Sequence, residues 1–452
     1  MSRSSKTAAL ATLVAVAGLS AGCNRYMLFN QAGYEQAAFN DEADILFVID
    51  NSGSMSEETA ALASNFGSFL EVLTSEAGAA QVTETLTDAV NNYITYTQDR
   101  GRFIDYRLAI TTATAGDEGN DGIILPGESG RFVGEDRAVV SKDDADVEGS
   151  FLQLLLCDTG YWDNPPIGGT GVLESCDSVP PPGEDITREF LDCYCGADGW
   201  DNPAGTGQEE HLEAALMAMC RASDDPPDVC YGVENVFADT EEYTNDGFLR
   251  DGATAIVVIV TDEGDLSRRI PGAETDPAPY LTALGQFDRT VKIVTIGPHF
   301  EPETGNVECG GTGGSGTPPL YTIQRLYEAS NVSGGFYSFI NEPDVGGDCT
   351  NTDFSVPLRE LGALLVNLDT AFQLQSIPDV STIQVWIDGE EVPAADLVSG
   401  EAGTLDAVYD SGWSYDPSQN SVSFWGKWIP DFNADVEIFY RPLDGQPRDL
   451  PF

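Results

Sequence analysis

Basic residues are what this chain has least of. Lys and Arg number 21 against 75 Asp and Glu in 452 residues, a formal net charge of -54. Nucleic-acid binding needs a basic footprint to neutralise phosphates, so that class of partner is excluded. Direct adsorption to anionic lipid is excluded on the same ground. Self-repulsion at this charge weakens a compact state unless salt or bound cations screen it. Histidine is nearly missing too, with only His211 and His299 present. No Cys-x-x-Cys pair occurs, so a zinc cluster built on Cys193-Tyr194-Cys195 is short of ligands. After Gly22 no apolar run is long enough to span a bilayer. Internal repeats are lacking, and low complexity is confined to Gly310–Gly316. Disorder is excluded in turn, because hydrophobic residues make up 41% of the chain.

What is present begins with an export signal. Arg3 and Lys6 precede an apolar stretch from Ala8 to Leu19, and small residues follow in Ser20-Ala21-Gly22-Cys23. The Gly22-Cys23 ending resembles a bacterial lipoprotein signal, which implies lipidation of Cys23 and anchorage of the mature chain to the cell envelope. The departure is Ser20 three residues before the Cys, where such signals carry Leu; here Leu19 stands four before. Cleavage as an ordinary signal peptide stays open for that reason. Asn24 is not the Asp that retains some such lipoproteins at the inner membrane, which points to the outer membrane.

Setting Cys23 aside leaves Cys157, Cys176, Cys193, Cys195, Cys220, Cys230, Cys309 and Cys349. An even number in an exported chain reads as a disulfide framework. Six of them fall between Cys157 and Cys230, where Gly, Pro and Asp dominate and cross-links can substitute for a core. Loop closure makes Cys220–Cys230 and Cys309–Cys349 the easiest pairs to imagine.

Two apolar runs end in an acid. Ile45-Leu46-Phe47-Val48-Ile49 leads into Asp50-Asn51-Ser52-Gly53-Ser54, and Ala255-Ile256-Val257-Val258-Ile259-Val260 leads into Thr261-Asp262. Such runs suit strands buried on both faces of a parallel sheet, whose carboxyl ends are where open α/β sheets place ligands. Asp50, Ser52 and Ser54 offer three hard oxygens within five residues, which suits a hard divalent cation such as Mg2+. The same residues are also ordinary turn formers. A third stretch, Gly205-Thr206-Gly207-Gln208-Glu209-Glu210-His211-Leu212, enters a helical pattern with Leu212, Ala215, Leu216 and Met219 on one face. Thr206 with Glu209 also fits a capping box.

Together the Asp50-x-Ser52-x-Ser54 motif, the acid at Asp262 and the threonine loop before a helix resemble the metal-ion-dependent adhesion site of von Willebrand factor type A domains. The resemblance implies a doubly wound α/β fold and a site of Asp50, Ser52, Ser54, Thr206 and Asp262 holding Mg2+, or Mn2+ or Ca2+. It implies that Ser52 and Ser54 bind the metal directly, Thr206 directly or through water, and Asp50 and Asp262 largely through water. The metal is then left open to a carboxylate of a protein partner: a binding protein for adhesion or protein–protein contact, not an enzyme. Glu263 and Asp265 lie close enough to tune such a site, or form a solvated acidic loop. A competing reading is a Mg2+-dependent phosphohydrolase with Asp50 as nucleophile; Ser52 then stands where that family carries its proton-donating second Asp, and no basic phosphate clamp is evident. Relatives acting in metal-chelatase complexes are cytoplasmic, against the export signal here.

The organisation expected is a signal over 1–22, a linker over 23–41, a large α/β domain over 42–372 and a small β-sandwich-like domain over 376–452. The large domain carries inserts near 79–101 and 117–205. Its further elements are a helix from Ser56 with Leu62, Phe66, Phe69, Leu70 and Leu73 on one face, strands at Tyr106–Thr112, Val291–Ile296 and Gly335–Ile340, and helices at Leu320–Ser330 and Val356–Leu368. In the last domain Ile383, Val385 and Ile387 alternate before an Asp388-Gly389 turn; Val422 with Phe424, and Val436, Ile438 and Tyr440, alternate likewise. Trp386, Trp413, Trp425 and Trp428 concentrate there and read as core before carbohydrate face.

Overall fold

The structure is a computed structural model. It describes residues 33–36, 42–74, 105–116, 126–159 apart from 135 and 136, single positions between 162 and 180, and 186–200 apart from 197 and 198. It further describes 209–232, 245–309 apart from 288, 303 and 305, 320–343, 349–374 apart from 352 and 353, 376–399, 408–428 apart from 418 and 419, and 436–443. Cys23, Thr206 and the insert expected at 79–101 lie outside them.

The chain divides into two units, 40–369 and a second that joins 370–451 to the N-terminal segment. The first is mixed α/β around a mostly parallel sheet. In chain order its strands are β2 (Glu42–Ile49), β3 (Asp105–Thr112), β4 (Val139–Ser141), β5 (Thr254–Val260), β6 (Val291–Gly297) and β7 (Tyr337–Phe339). They lie side by side as β4-β3-β2-β5-β6-β7, with only the edge strand β4 antiparallel. β2 and β5 are adjacent and in register from Ala43↔Thr254 to Ile49↔Val260, so their carboxyl ends finish side by side.

Helices α1 (Ser56–Thr74), α2 (Val147–Gln153), α3 (Arg188–Tyr194), α4 (His211–Ala222), α5 (Ala278–Leu284), α6 (Leu320–Val332) and α7 (Ser355–Thr370) accompany the sheet, with shorter elements between them. β2 is apolar without alternation because both of its faces are covered. Leu46 and Val48 share a cluster with Leu212, Ala215, Leu216 and Met219 of α4. On the other side Phe47 meets Phe66 of α1 and Phe151 of α2, at ring-centroid distances of 6.2 and 5.0 Å. Phe151 also stacks on Phe66 at 3.8 Å.

That contact gives the stretch expected as an insert at 117–205 a part in the core. The stretch is not mere decoration, since it supplies the edge strand β4 and, through Phe151, part of the core. Its weak periodicity hid this, because short elements cannot show a full repeat. Three disulfides follow in and beside it: Cys157–Cys195, Cys176–Cys193 and Cys220–Cys230. Cys193 and Cys195 are therefore bonded and offer zinc nothing. The pair expected at Cys220–Cys230 is present. Cys309 and Cys349 are described through their backbone alone. Disulfides of this kind belong to an extracellular or exported protein. Among the described residues no helix is long and apolar enough to cross a membrane.

The second unit is a small antiparallel β region. Strand β1 (Gly33–Gln36) pairs with β13 (Val436–Pro442), which pairs with β9 (Pro378–Ile387) and so reaches β10 (Glu390–Val392). A second sheet runs β8 (Ala371–Gln373), β12 (Ser421–Trp425), β11 (Gly412–Asp416). Gly33–Gln36 lies in the stretch read as linker; it is a strand, held by a partner some 400 residues away in sequence that no local pattern reveals. The β9–β10 turn is Asp388-Gly389, with both residues at positive φ (50° and 79°), as a two-residue hairpin matching the strand twist demands. Ile383, Val385, Val422, Phe424, Val436, Ile438 and Tyr440 are buried. Trp413 is buried, while Trp386, Trp425 and Trp428 are half-buried.

Candidate functional site

The site grows from the paired ends of β2 and β5. The Asp50 amide donates to Val260 O at 2.9 Å, extending the ladder one residue past the strand, and the Thr261 amide donates likewise to Ile296 O. Asp50 then turns the chain: its Oδ1 accepts from the Ser52 amide at 2.9 Å, an Asx-type turn that leads through one short helical turn into α1. Both hydroxyls of the motif are thereby brought to the end of β5. Ser52 Oγ lies 2.9 Å from Ser54 Oγ, and Ser54 Oγ donates to Asp262 Oδ1 at 3.1 Å. On the other flank Thr261 Oγ1 donates to Asp50 Oδ2 at 2.8 Å. Asp50, Ser52, Ser54 and Asp262, up to 212 positions apart in sequence, thus form one hydroxyl–carboxylate chain. Thr261 is a participant that sequence reasoning missed, although it stands in the quoted motif next to Asp262.

The electrostatics are one-sided. Asp50 is 1% exposed and Asp262 0%. Burial raises Asp50 to about 6, opposed by bonds from Ser52 and Thr261. Burial and the neighbouring Asp50 charge raise Asp262 to about 7. Glu209, at the approach to α4, is pushed up to about 9 by burial and by Asp50 and Glu263. No lysine or arginine is among the largest influences on Asp50, Asp262 or Glu209. Asp262 Oδ2 is buried without a hydrogen-bond partner, and the Glu209 carboxyl is set against that of Glu263. Buried acceptors left this way are costly and call for a cation or a proton.

The helix entrance also departs from expectation. Helix α4 begins at His211 with Glu210 at its N-cap, so Glu209 precedes the helix and is not the third helical residue that a capping box requires. The cap comes from across the structure instead. Asp265 Oδ1 accepts from the Leu212 amide at 3.1 Å and Ser267 Oγ from the Glu213 amide at 2.9 Å. Asp265 is fully buried and paired with Arg325 of α6 at 2.9 Å, so the solvated-loop reading fails for it. The loop leaving Asp262 is thus bolted to α4 and α6. Gly264 sits so close to α6 that a Cβ there would lie 1.9 Å from Thr322 Oγ1.

Hard hydroxyl and carboxylate oxygens with orphaned buried acceptors fit a hard divalent cation. Among the described residues no three His, Cys, Asp or Glu side chains already converge on one point; this shell leans on serine hydroxyls, and bare carboxylates repel one another. Ser52, Ser54, Asp262 and, through water, Asp50 are the groups that would hold the ion.

No family model matches the chain, and no curated protein matches it. Among solved structures, the three N-terminal domains of the type V pili tip protein Mfa5 from Porphyromonas gingivalis resemble it at 10% identity and a TM-score of 0.22. The match covers 92% of this chain and 65% of that one, so the chain spans less than two thirds of it, and a TM-score this low carries no argument.

Proposed function

We propose that this is a cell-envelope binding protein of the von Willebrand factor A type, which holds a divalent cation at Asp50, Ser52, Ser54, Thr206 and Asp262 and through it an acidic group of a protein partner. The observation that carries the reading is the chain Ser52–Ser54–Asp262 at the carboxyl ends of two adjacent parallel strands, with Asp262 Oδ2 left unsatisfied. Neutral hydroxyls as direct ligands leave most of the ion's positive charge for an incoming carboxylate. Asp50, held by Ser52 and Thr261, orients the ion's waters from behind. The protein is read as a binder and not an enzyme, with Cys23 as its lipid anchor at the bacterial envelope.

The test replaces Ser52 and Ser54 together by Ala. Titration calorimetry should then show cation binding lost, with circular dichroism unchanged. Binding at the original affinity in the double variant removes the assignment. Capture of an envelope protein by the wild type, abolished by EDTA, is the expected partner result. Cys23→Ser should release the protein to the soluble fraction with the same cation affinity; retention on the membrane after a high-salt wash would refute the anchor.

A further inference from the structure

The second unit ends in an apolar tip where the chain from Cys23 enters it. β1 runs antiparallel to β13 with Gly33 opposite Tyr440, so Gly33 lies toward the Arg441–Leu443 end of that strand. β9 begins at the same end: Pro378 is opposite Pro442, and the Leu443 amide donates to Ile377 O at 3.0 Å. Ile377 and Leu443 are 37% and 64% exposed. Val380, 49% exposed, stands where the β9–β13 register shifts between Asp379 and Gln384. Irregularities of this kind re-aim a side chain. This one is fixed in place. Asp379 Oδ1 accepts from the Ser381 hydroxyl at 2.6 Å, and the Thr382 hydroxyl donates to Asp379 O at 2.7 Å. The same Thr382 oxygen accepts from the Arg441 amide at 2.9 Å. Behind Ile377 the Ser376 amide donates to the Tyr440 hydroxyl at 3.2 Å.

We infer that Ile377, Val380 and Leu443 form a membrane-contact tip, which seats the second unit on the lipid surface to which Cys23 ties it. The inference rests on the lipid-anchor reading and adds an orientation, which a tether alone does not set. Two observations favour a bilayer as the occupant. The first is reach. The ten-residue step from Cys23 to Gly33 spans about 35 Å at most when fully extended, so this end of the sheet cannot stand far from the anchor. The second is charge. The chain carries -54 overall, yet residues 376–383 and 440–443 hold one acid and one base, Asp379 and Arg441, opposite each other in register. A neutral spot is where so acidic a protein meets a lipid surface with least repulsion. Exposed apolar side chains there gain by entering the boundary between headgroups and acyl chains. Three side chains are too few to hold the protein by themselves, so Cys23→Ser still releases it.

The experiment reconstitutes the full-length lipidated protein in phosphatidylcholine vesicles that carry a nitroxide-labelled lipid as quencher. A polarity-sensitive fluorophore is placed on Leu443→Cys or, as control, on Glu390→Cys, which is exposed at the opposite end of β9 beside Ile387. Wild type treated alike sets the background. The label at position 443 should be quenched about threefold or more strongly than the control, as for a group about 5–10 Å deep in the interface. Adding Ile377→Ser and Val380→Ser, both at exposed positions, should lower that quenching toward the control level with circular dichroism unchanged. Equal quenching at the two positions overturns the tip. Quenching at position 443 that the serine pair leaves untouched overturns it as well, because the label alone would then explain the contact. Wild type that floats with the vesicles but shows equal quenching leaves the anchor standing and removes this inference alone. Wild type that does not float with them removes the anchor reading and the tip with it.

Discussion

Strand β2 carries a buried aspartate toward each end, and the two are treated in opposite ways. Asp44, at the amino end, is fully buried and surrounded by arginine. The Arg250 amide and Nε each donate to it at 2.8 Å, and Arg289 Nη1 lies 3.7 Å away. Arg250 also reaches Asp105 at 2.6 Å and Glu42 at 3.6 Å. Burial still pushes the Asp44 carboxyl up, while the two arginines draw it back. Asp50, about 20 Å further along the strand, has the Ser52 amide and the hydroxyls of Thr261 and Ser52 for company and two more buried acids nearby. The first end is a finished ion-pair network. The second carries three acids that burial pushes toward the neutral form, with no lysine or arginine among the largest influences on them. Raised, buried acids gathered at strand ends make the second end the candidate site, and the proposed cation is the charge that would balance them.

Breaking the finished end should have the largest effect. Arg250→Met strands Asp44 as a buried, under-compensated charge and should cost about 3–5 kcal/mol of stability by urea unfolding. Cation affinity of the folded protein should stay unchanged, because the site lies at the far end of the strand. A coupled loss of affinity would show that the two ends are not independent.

The opposite sign is expected at the other end. Asp262→Asn removes a charge that burial and Asp50 disfavour. In EDTA at pH 8 it should stabilise the protein by on the order of 1–3 kcal/mol, while calcium or magnesium should no longer raise its melting temperature. Destabilisation in EDTA would mean that Asp262 is a structural acceptor for Ser54 and little else.

A third carboxylate sharpens the contrast with a smaller effect. Glu213 of α4 accepts from the Tyr280 hydroxyl, and burial raises it from 4.5 to about 7. The folded value lies above the unfolded one, so its contribution is full below about pH 4.5 and lost as pH rises through about 7. Stability measured by urea unfolding should fall across that window in the wild type, and Glu213→Gln should flatten that part of the profile. An unchanged slope in the variant would assign the pH dependence to other groups.

Ile45 to Ile49 and Ala255 to Val260 announced themselves as doubly buried strands because an unbroken apolar run has no polar face to show. Both duly lie in the middle of a mostly parallel sheet. Asp50, Ser52 and Ser54 were legible for the same reason: they stop such a run abruptly. The Asp388-Gly389 hairpin was equally plain, since only a few residue pairs tolerate two positive φ values. These are local properties, carried by neighbours in sequence.

Other features depend on residues far apart, and only the tertiary structure could decide them. Glu209 looks like half of a capping box until Asp265 and Ser267, more than 50 positions away, are seen to cap the helix in its place. Gly33–Gln36 is too short and too polar to declare itself a strand without its partner at 437–440. Thr261 earns notice only once β2 and β5 are adjacent and its hydroxyl meets Asp50. The sequence by itself determined the strands, the export-type disulfide chemistry and the acids at the strand ends, because burial pattern and residue type are written locally. Which acids are matched by arginine and which are left facing one another was decided by the fold, because charge compensation is a property of neighbours in space.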